Sequence, residues 1–300
     1  MLPALRFHLN GRLQALGSRL SAPDLGTECH FPLTQEGRKV MNDLPMGQLT
    51  PYLQSIARII FGFLVLRHGM EQVLAYPEAS HASRVSFEGA LELIAFPAGL
   101  LLILGLYTRQ VGLVLAVLYF ILFFLGPLQR GPFTHRNGGD PILLNAFFFL
   151  YVSAAGGGPW SLDRLRGATA TDKRWTPILL GLLRIAAGCL FLMHGLEKIF
   201  GVGGGRIDRD IMTIRGLAGW LEIVGGPLFT VGLFTRPVAF ILSGEMAVAY
   251  FRSWAPRGFW PSFEQAGMEA SILFCFLFLF FWAAGVVILI AESGRRGHPF

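Results

Sequence analysis

Charge is scarce in this chain. Of its 300 residues only 15% are Asp, Glu, Lys or Arg, against about 25% in a soluble globular domain. Cysteine is scarce as well. Cys29, Cys189 and Cys275 stand far apart with no C-x-x-C, which excludes a disulfide scaffold, a paired-cysteine zinc site and a dithiol redox pair. No Walker motif and no Ser/His/Asp arrangement stands out. The run Gly203-Gly204-Gly205 lacks the strand–turn–helix setting of a dinucleotide site. The net charge is +6, yet no basic block with interleaved aromatics exists, so nucleic acid is not a partner. Lys and Arg fall instead between apolar segments. What abounds is apolar: 53% hydrophobic residues with 27 phenylalanines, and a mean hydropathy of +0.53. An ordinary soluble enzyme is excluded, and a polytopic helical membrane protein is implied.

Eight apolar segments follow one another, at 51–75, 88–107, 109–127, 140–156, 176–200, 212–234, 236–253 and 267–291. A spanning helix needs about 20 mostly apolar residues, and these runs reach or approach that length. The segments at 109–127 and 140–156 are short and call for tilt or local thinning. The runs are continuous rather than alternating, which argues against a β-barrel. Residues 1–48 read as a cytoplasmic tail, and 292–300 as a short C-terminal one. With the N-terminus inside, the cytoplasmic loops and tails carry thirteen Lys and Arg and the outer loops nine. That bias puts both termini in the cytoplasm, and the cell's inner membrane is the expected location.

The two halves resemble each other. Leu66-Arg67-His68-Gly69-Met70-Glu71-Gln72-Val73 matches Leu192-Met193-His194-Gly195-Leu196-Glu197-Lys198-Ile199 at an offset of 126. Gly105-Leu106-Tyr107-Thr108-Arg109 matches Gly232-Leu233-Phe234-Thr235-Arg236 at 127, and Arg58 corresponds to Arg184. Gly139-Asp140 lines up with Met268-Glu269. The simplest reading is a tandem duplication of a four-helix unit, in parallel orientation. It gives an all-α architecture of two four-helix transmembrane bundles, at 49–163 and 176–291, joined by a linker at 164–175.

The second half resembles the DoxX family. Its first helix has Arg184 followed by His194-Gly195-Leu196-Glu197-Lys198, like the family's Arg…His-Gly-x-x-Lys. Its second has Glu222-Ile223-Val224-Gly225-Gly226 and then Gly232-Leu233-Phe234-Thr235-Arg236-Pro237. Its last opens with Glu269. The first half is a divergent copy, with Gln72 in place of Lys198 and Ala95 in place of Glu222; Glu92 lies one turn earlier. It keeps a terminal Ser161-Leu162-Asp163. The resemblance implies a membrane subunit of the thiosulfate:quinone oxidoreductase type, or a partner in thiol-stress complexes. Such a protein passes electrons from a sulfur compound or a redox partner protein to membrane quinone. The alternatives are a scaffold that docks a soluble redox or detoxification enzyme, and a small-anion transporter.

The site residues follow from helix geometry and from cost. His194 and Lys198, four apart, share a helix face, and Arg184 falls within about 80° of His194 on the wheel. Ionisable groups inside a membrane are costly and mark function by default. Their other reading is structural: near helix ends they snorkel, or they bond across helices. Glu222 sits inside an apolar helix beside two glycines and reads either as a proton route or as half of a buried ion pair. His194 and Glu222 are thus the candidates for proton handling, and Arg184 and Lys198 for holding an anionic substrate. His68, Arg58 and Glu92 are the first-half counterparts, and Glu245 is a third carboxylate. Arg109 and Arg236 read as cytoplasmic anchors. Asp140 reads as an N-cap before Pro141, and Glu269 as a complement to its helix dipole. Quinone is the implied cofactor. Haem is not expected from two histidines alone, and no metal spacing is present.

Overall fold

A backbone in lipid must satisfy its own N–H and C=O groups, and a helix does so within one segment. The computed structural model describes residues 45–74, 87–168, 171–257 and 266–285, and among them there is no strand. Eight helices of fifteen or more residues run along these stretches: α1 Pro45–Leu74, α2 Phe87–Leu104, α3 Thr108–Leu125, α4 Gly139–Ala155, α5 Trp175–Phe200, α6 Ile214–Val231, α7 Thr235–Ala249 and α8 Ala266–Ala284. Residues 1–44 of the expected tail, the end of the eighth segment and residues 292–300 lie outside the described residues. α1 begins at Pro45, a turn and a half before the sequence expectation, and carries Pro51 inside it.

Helix α3 shows why the solvent is lipid. Thr108, Gly112, Leu115, Ala116, Tyr119 and Phe123 are buried. The opposite face shows Leu113, Val114, Val117, Ile121, Phe124 and Leu125, all exposed. In water such a stripe would be a large unfavourable patch; against acyl chains it has no cost. Among the described residues four stretches are long and apolar enough to cross a membrane: Gln48–Glu71, Thr108–Arg130, Trp175–Phe200 and Gly267–Ala284. Leu93–Leu104 and Gly139–Ala155 are apolar but shorter. α6 is diluted by Arg215, Glu222 and four glycines, and α7 has only 15 residues. The chain is an α-helical, multi-pass membrane protein.

Neighbouring helices pair as α1 with α2, α3 with α4, α5 with α6 and α7 with α8. Three further helix contacts join the halves: α1 packs on α8, α4 packs on α5, and α4 also touches α8. The core between them is aromatic. The Phe61 and Phe148 ring centres are 3.8 Å apart between α1 and α4, and Phe191 meets Phe274 and Phe278 edge-to-face across α5 and α8.

Both α3 and α7 start from the same tight turn. Gly105 and Gly232 take positive φ, and so do Tyr107 and Phe234, a conformation that bulky residues rarely adopt. In the first half the strain is offset locally. The Asp163 carboxylate accepts from the Tyr107 and Thr108 backbone N–H groups, both at 2.8 Å, and caps α3. The Arg58 guanidinium closes the same end. It donates to the carbonyls of Leu102 and Ile103 at the end of α2, and to Gly157 and Trp160 beyond α4. Ile103 lies at the end of α2, where carbonyls lack intrahelical partners; Leu102 also accepts from the Gly105 N–H, and Gly157 and Trp160 are loop carbonyls.

Candidate functional site

The site is built where α5 ends. The α5 periodicity puts Phe191, His194 and Lys198 on one side, and α6 brings Glu222 opposite them because glycines let the two helices close up. A Cβ added to Gly195 would stand 2.8 Å from the Ile223 backbone nitrogen, and one on Gly226 would stand 2.9 Å from that of Leu192. Glu222 is fully buried, and the Lys198 Nζ donates to its Oε1 at 2.5 Å. This pair joins α5 to α6, a partnership the sequence reading did not assign to Lys198.

The partner of His194 comes from the other half. Its Nε2 lies 3.1 Å from Oδ2 of Asp140, in the first turn of α4. Its Nδ1 faces the Leu190 carbonyl at 3.0 Å. The Leu190 carbonyl can only accept, so Nδ1 donates to it, and Nε2 shares a proton with the Asp140 carboxyl. The ring is an imidazolium beside a carboxylate, or a neutral ring beside a protonated carboxyl; either way the pair holds one proton.

The first half mirrors this with an exchange. His68 Nε2 lies 3.1 Å from Oε2 of Glu269 in the first turn of α8. Its Nδ1, however, accepts from an Arg67 guanidinium nitrogen at 3.3 Å. A neutral ring satisfies both contacts. Arg67 also pairs with Glu71 at 2.6 Å, and Asn145 donates to Glu269. The two histidines share a position in the fold but differ in what faces Nδ1, a carbonyl at His194 and a guanidinium at His68.

A cavity of about 250 Å³ opens beside His194. His135, Asp140, Lys198, Arg215, Glu222 and Trp254 are among its walls. Trp254 ends a widened π turn, Tyr250–Trp254, that follows α7; such turns recur at functional sites. A second, larger cleft of about 580 Å³ lies between α6 and α7. Its sides are apolar, with Leu217, Leu221, Ile241 and Val248, while Lys198, Arg215 and Glu245 supply its polar part. Lys198 and Arg215 border both spaces. Glu245 interacts electrostatically with Glu222, Lys198 and His194, and its carboxyl group meets that of Glu222.

The structure therefore gathers His194, Lys198, Glu222 and Glu245. It does not bring Arg184 to them. Arg184 is ten residues before His194, about 15 Å along the helix. It lies against Gly232, where α6 ends, with its guanidinium 2.8 Å from where a Cβ would be. Arg58 holds the matching place beside Gly105, so both arginines belong to the opposite end of the bundle. Glu92 lies in α2, but its side chain falls outside the described residues. Three groups escaped the sequence reading. Asp140 and Glu269 looked like helix starts, and only the α4–α5 and α1–α8 packing turns them into histidine partners. His135 sits in a polar connection and has no spacing signal at all. Among the described residues no cluster of three or more His, Cys, Asp and Glu fits a metal ion.

Comparison with known proteins bears on the same helices. The DoxX family profile matches residues 179–253, which contain His194, Lys198, Glu222 and Glu245 but not Asp140 or His135. An uncharacterised protein of Haemophilus influenzae is 40% identical over 121 residues, 38% of this chain and 87% of that relative. From those shares the relative is less than half as long as this chain. No solved structure matches. The chain is thus a member of the DoxX family.

Proposed function

We propose that this protein is the quinone-binding membrane subunit of a redox system, with the cleft between α6 and α7 as the quinone site. The observation that carries the reading is the cleft itself. Its volume of about 580 Å³ lies within the usual range of ligand pockets, about 300–1,000 Å³. Its apolar sides suit an isoprenoid-bearing ring entering from the membrane. Its polar part suits the ring's carbonyl oxygens: Lys198 and Arg215 offer donors, and Glu245 offers a carboxyl group. Quinone, when bound, supplies two-electron, two-proton redox chemistry. The chain's own residues do the rest. Lys198 and Arg215 orient the ring, Glu245 exchanges a proton with it, and Glu222 holds Lys198 in place. The His194–Asp140 pair keeps a proton one step behind them. The electrons come from a sulfur compound or from a redox partner protein, as the family resemblance suggests.

The finer topology belongs to this reading. All eight helices cross the inner membrane, both termini face the cytoplasm, and the two halves are copies of one four-helix unit. A relative less than half as long supports the last point. The cavity at the end of α5 then opens towards the outer side.

The test is binding of a short-chain ubiquinone analogue to the purified full-length protein in lipid nanodiscs. Leu221→Trp fills the cleft and should weaken binding by tenfold or more, about 1.4 kcal/mol. Glu245→Gln should bind with little change but should lose the proton uptake that accompanies quinone reduction. Absence of binding by the unaltered protein rejects the quinone reading and leaves the docking scaffold as the better one.

A further inference from the structure

The inner cavity contains polar atoms that neither the fold nor the quinone cleft accounts for. Both ring nitrogens of His135 and Oδ1 of Asp140 have no hydrogen-bond partner among the described residues. Buried polar atoms are rarely left so. The cavity's 250 Å³ has room for several water molecules at about 30 Å³ each, and such waters would satisfy all of these atoms.

His135 is the most telling of them. Its side chain is 3% exposed, although it lies in the connection between α3 and α4, on the short helical turn Thr134–Asn137. Gly138, with φ of +73°, ends that turn and lets α4 begin at Gly139, so His135 and Asp140 come to one wall. On its inner side the His135 ring is 5.7 Å from that of His194, centre to centre. On its outer side Nε2 is 3.8 Å from Oε2 of Glu197. Glu197 is partly exposed and is paired with Arg215 at 3.7 Å. Arg136, on the same turn, is exposed and donates to the Gly203 carbonyl in the loop after α5.

We propose that His135 is the proton entry of the inner cavity, passing protons between Glu197 at the surface and the buried His194–Asp140 pair. One ring nitrogen takes a proton delivered at Glu197, and the other releases its own inward through water. The ring then returns to its starting tautomer. No electron moves, and the proton count balances at each end. Burial pushes the His135 imidazole below its ordinary value, Glu197 pulls it up, His194 pushes it down, Asp140 pulls it up and Arg136 pushes it down. The ring is therefore neutral near pH 7, with one donor and one acceptor, which is the form a relay needs. Only the destination of the proton rests on the quinone reading.

The experiment needs no quinone, so its failure is separate from a failure of that reading. Full-length protein in nanodiscs is mixed rapidly with acid buffer across the imidazole range. The fluorescence of Trp254, a wall of the cavity, reports when protons arrive. Trp254→Phe identifies its contribution. His135→Ala should slow the response by about a hundredfold, and imidazole added to the medium should restore it. His135→Gln keeps the side chain's polar bulk, leaves no hole for imidazole, and should be slow without rescue. A folded His135→Ala or His135→Gln that responds as fast as the unaltered protein overturns the proposal. So does a slow His135→Ala that imidazole fails to restore, since loss of packing alone would give that result.

Discussion

Arg58 illustrates how an intramembrane charge is tolerated when it works as a staple. Its side chain is fully buried, and its planar fork reaches four carbonyls on two segments. Helix-end and loop carbonyls supply negative partial charge, and the Asp163 carboxylate adds a favourable charge nearby. A lysine keeps the charge but has no fork. Arg58→Lys should therefore strand at least two buried carbonyls, each worth about 1–3 kcal/mol. Its unfolding midpoint, followed in mild detergent by circular dichroism, should fall well below that of the unaltered chain. An unchanged midpoint would show that the staple is not needed for stability. At this scale the sequence was informative about cost and poor about partners. An isolated Glu222 in an apolar run announces itself, because nothing nearby in sequence compensates it. Asp140 does not, because an acidic residue before proline at a helix start already has a local explanation. The exchange of acids between halves is a fact of packing, and no spacing within either half contains it. Arg184 shows the converse error: sharing a helix face with His194 does not make two residues neighbours when the rise separates them by about 15 Å.

Helix pairs in lipid gain little from apolar burial, since acyl chains are as apolar as leucine; they depend on close approach. Small residues therefore decide where α5 meets α6. Gly188, Gly195 and Gly226 face the partner helix so tightly that any Cβ would press on backbone or on a buried side chain. Gly62, Gly69 and Gly99 do the same for α1 and α2. Gly226→Val would drive α6 from α5 and separate Lys198 from Glu222. The expected result is a loss of several kcal/mol, of the order seen for overpacking at about 1–3 kcal/mol plus the broken ion pair at about 3–5 kcal/mol. Yield of folded protein by size-exclusion chromatography should fall sharply. Gly244→Ala, where nothing lies within 4 Å of the new methyl, should be neutral. Equal behaviour of the two variants would contradict the close-approach argument. The existence of these helices was plain in the sequence, because long apolar runs leave lipid-exposed chain no other choice. Their ends were less so: α1 runs back to Pro45 through Pro51, although Thr50-Pro51 reads locally as a helix start.

Across the whole molecule, the first helix of each half leans on the fourth helix of the other. α1 packs on α8 and α4 on α5, and each crossing carries a histidine–carboxylate pair at 3.1 Å. All described residues accordingly belong to one compact unit, Asp43–Phe300. Neither half can keep its buried histidine partnered alone, and an unpaired buried acid is costly. Cutting the chain within the 164–175 linker therefore tests how the halves depend on each other. The two pieces, expressed together, should copurify and regain one cooperative unfolding transition. Expressed singly, each should be degraded or aggregate, because α1 or α5 would present a polar face to lipid. Asp140→Asn together with Glu269→Gln, in the cut chain, should weaken copurification more than either change alone, as both crossings lose their charge. If each piece accumulates alone as a folded monomer, the reciprocal pairs are dispensable for folding. The Asp140–His194 contact would then be retained for the chemistry of the cavity rather than for assembly.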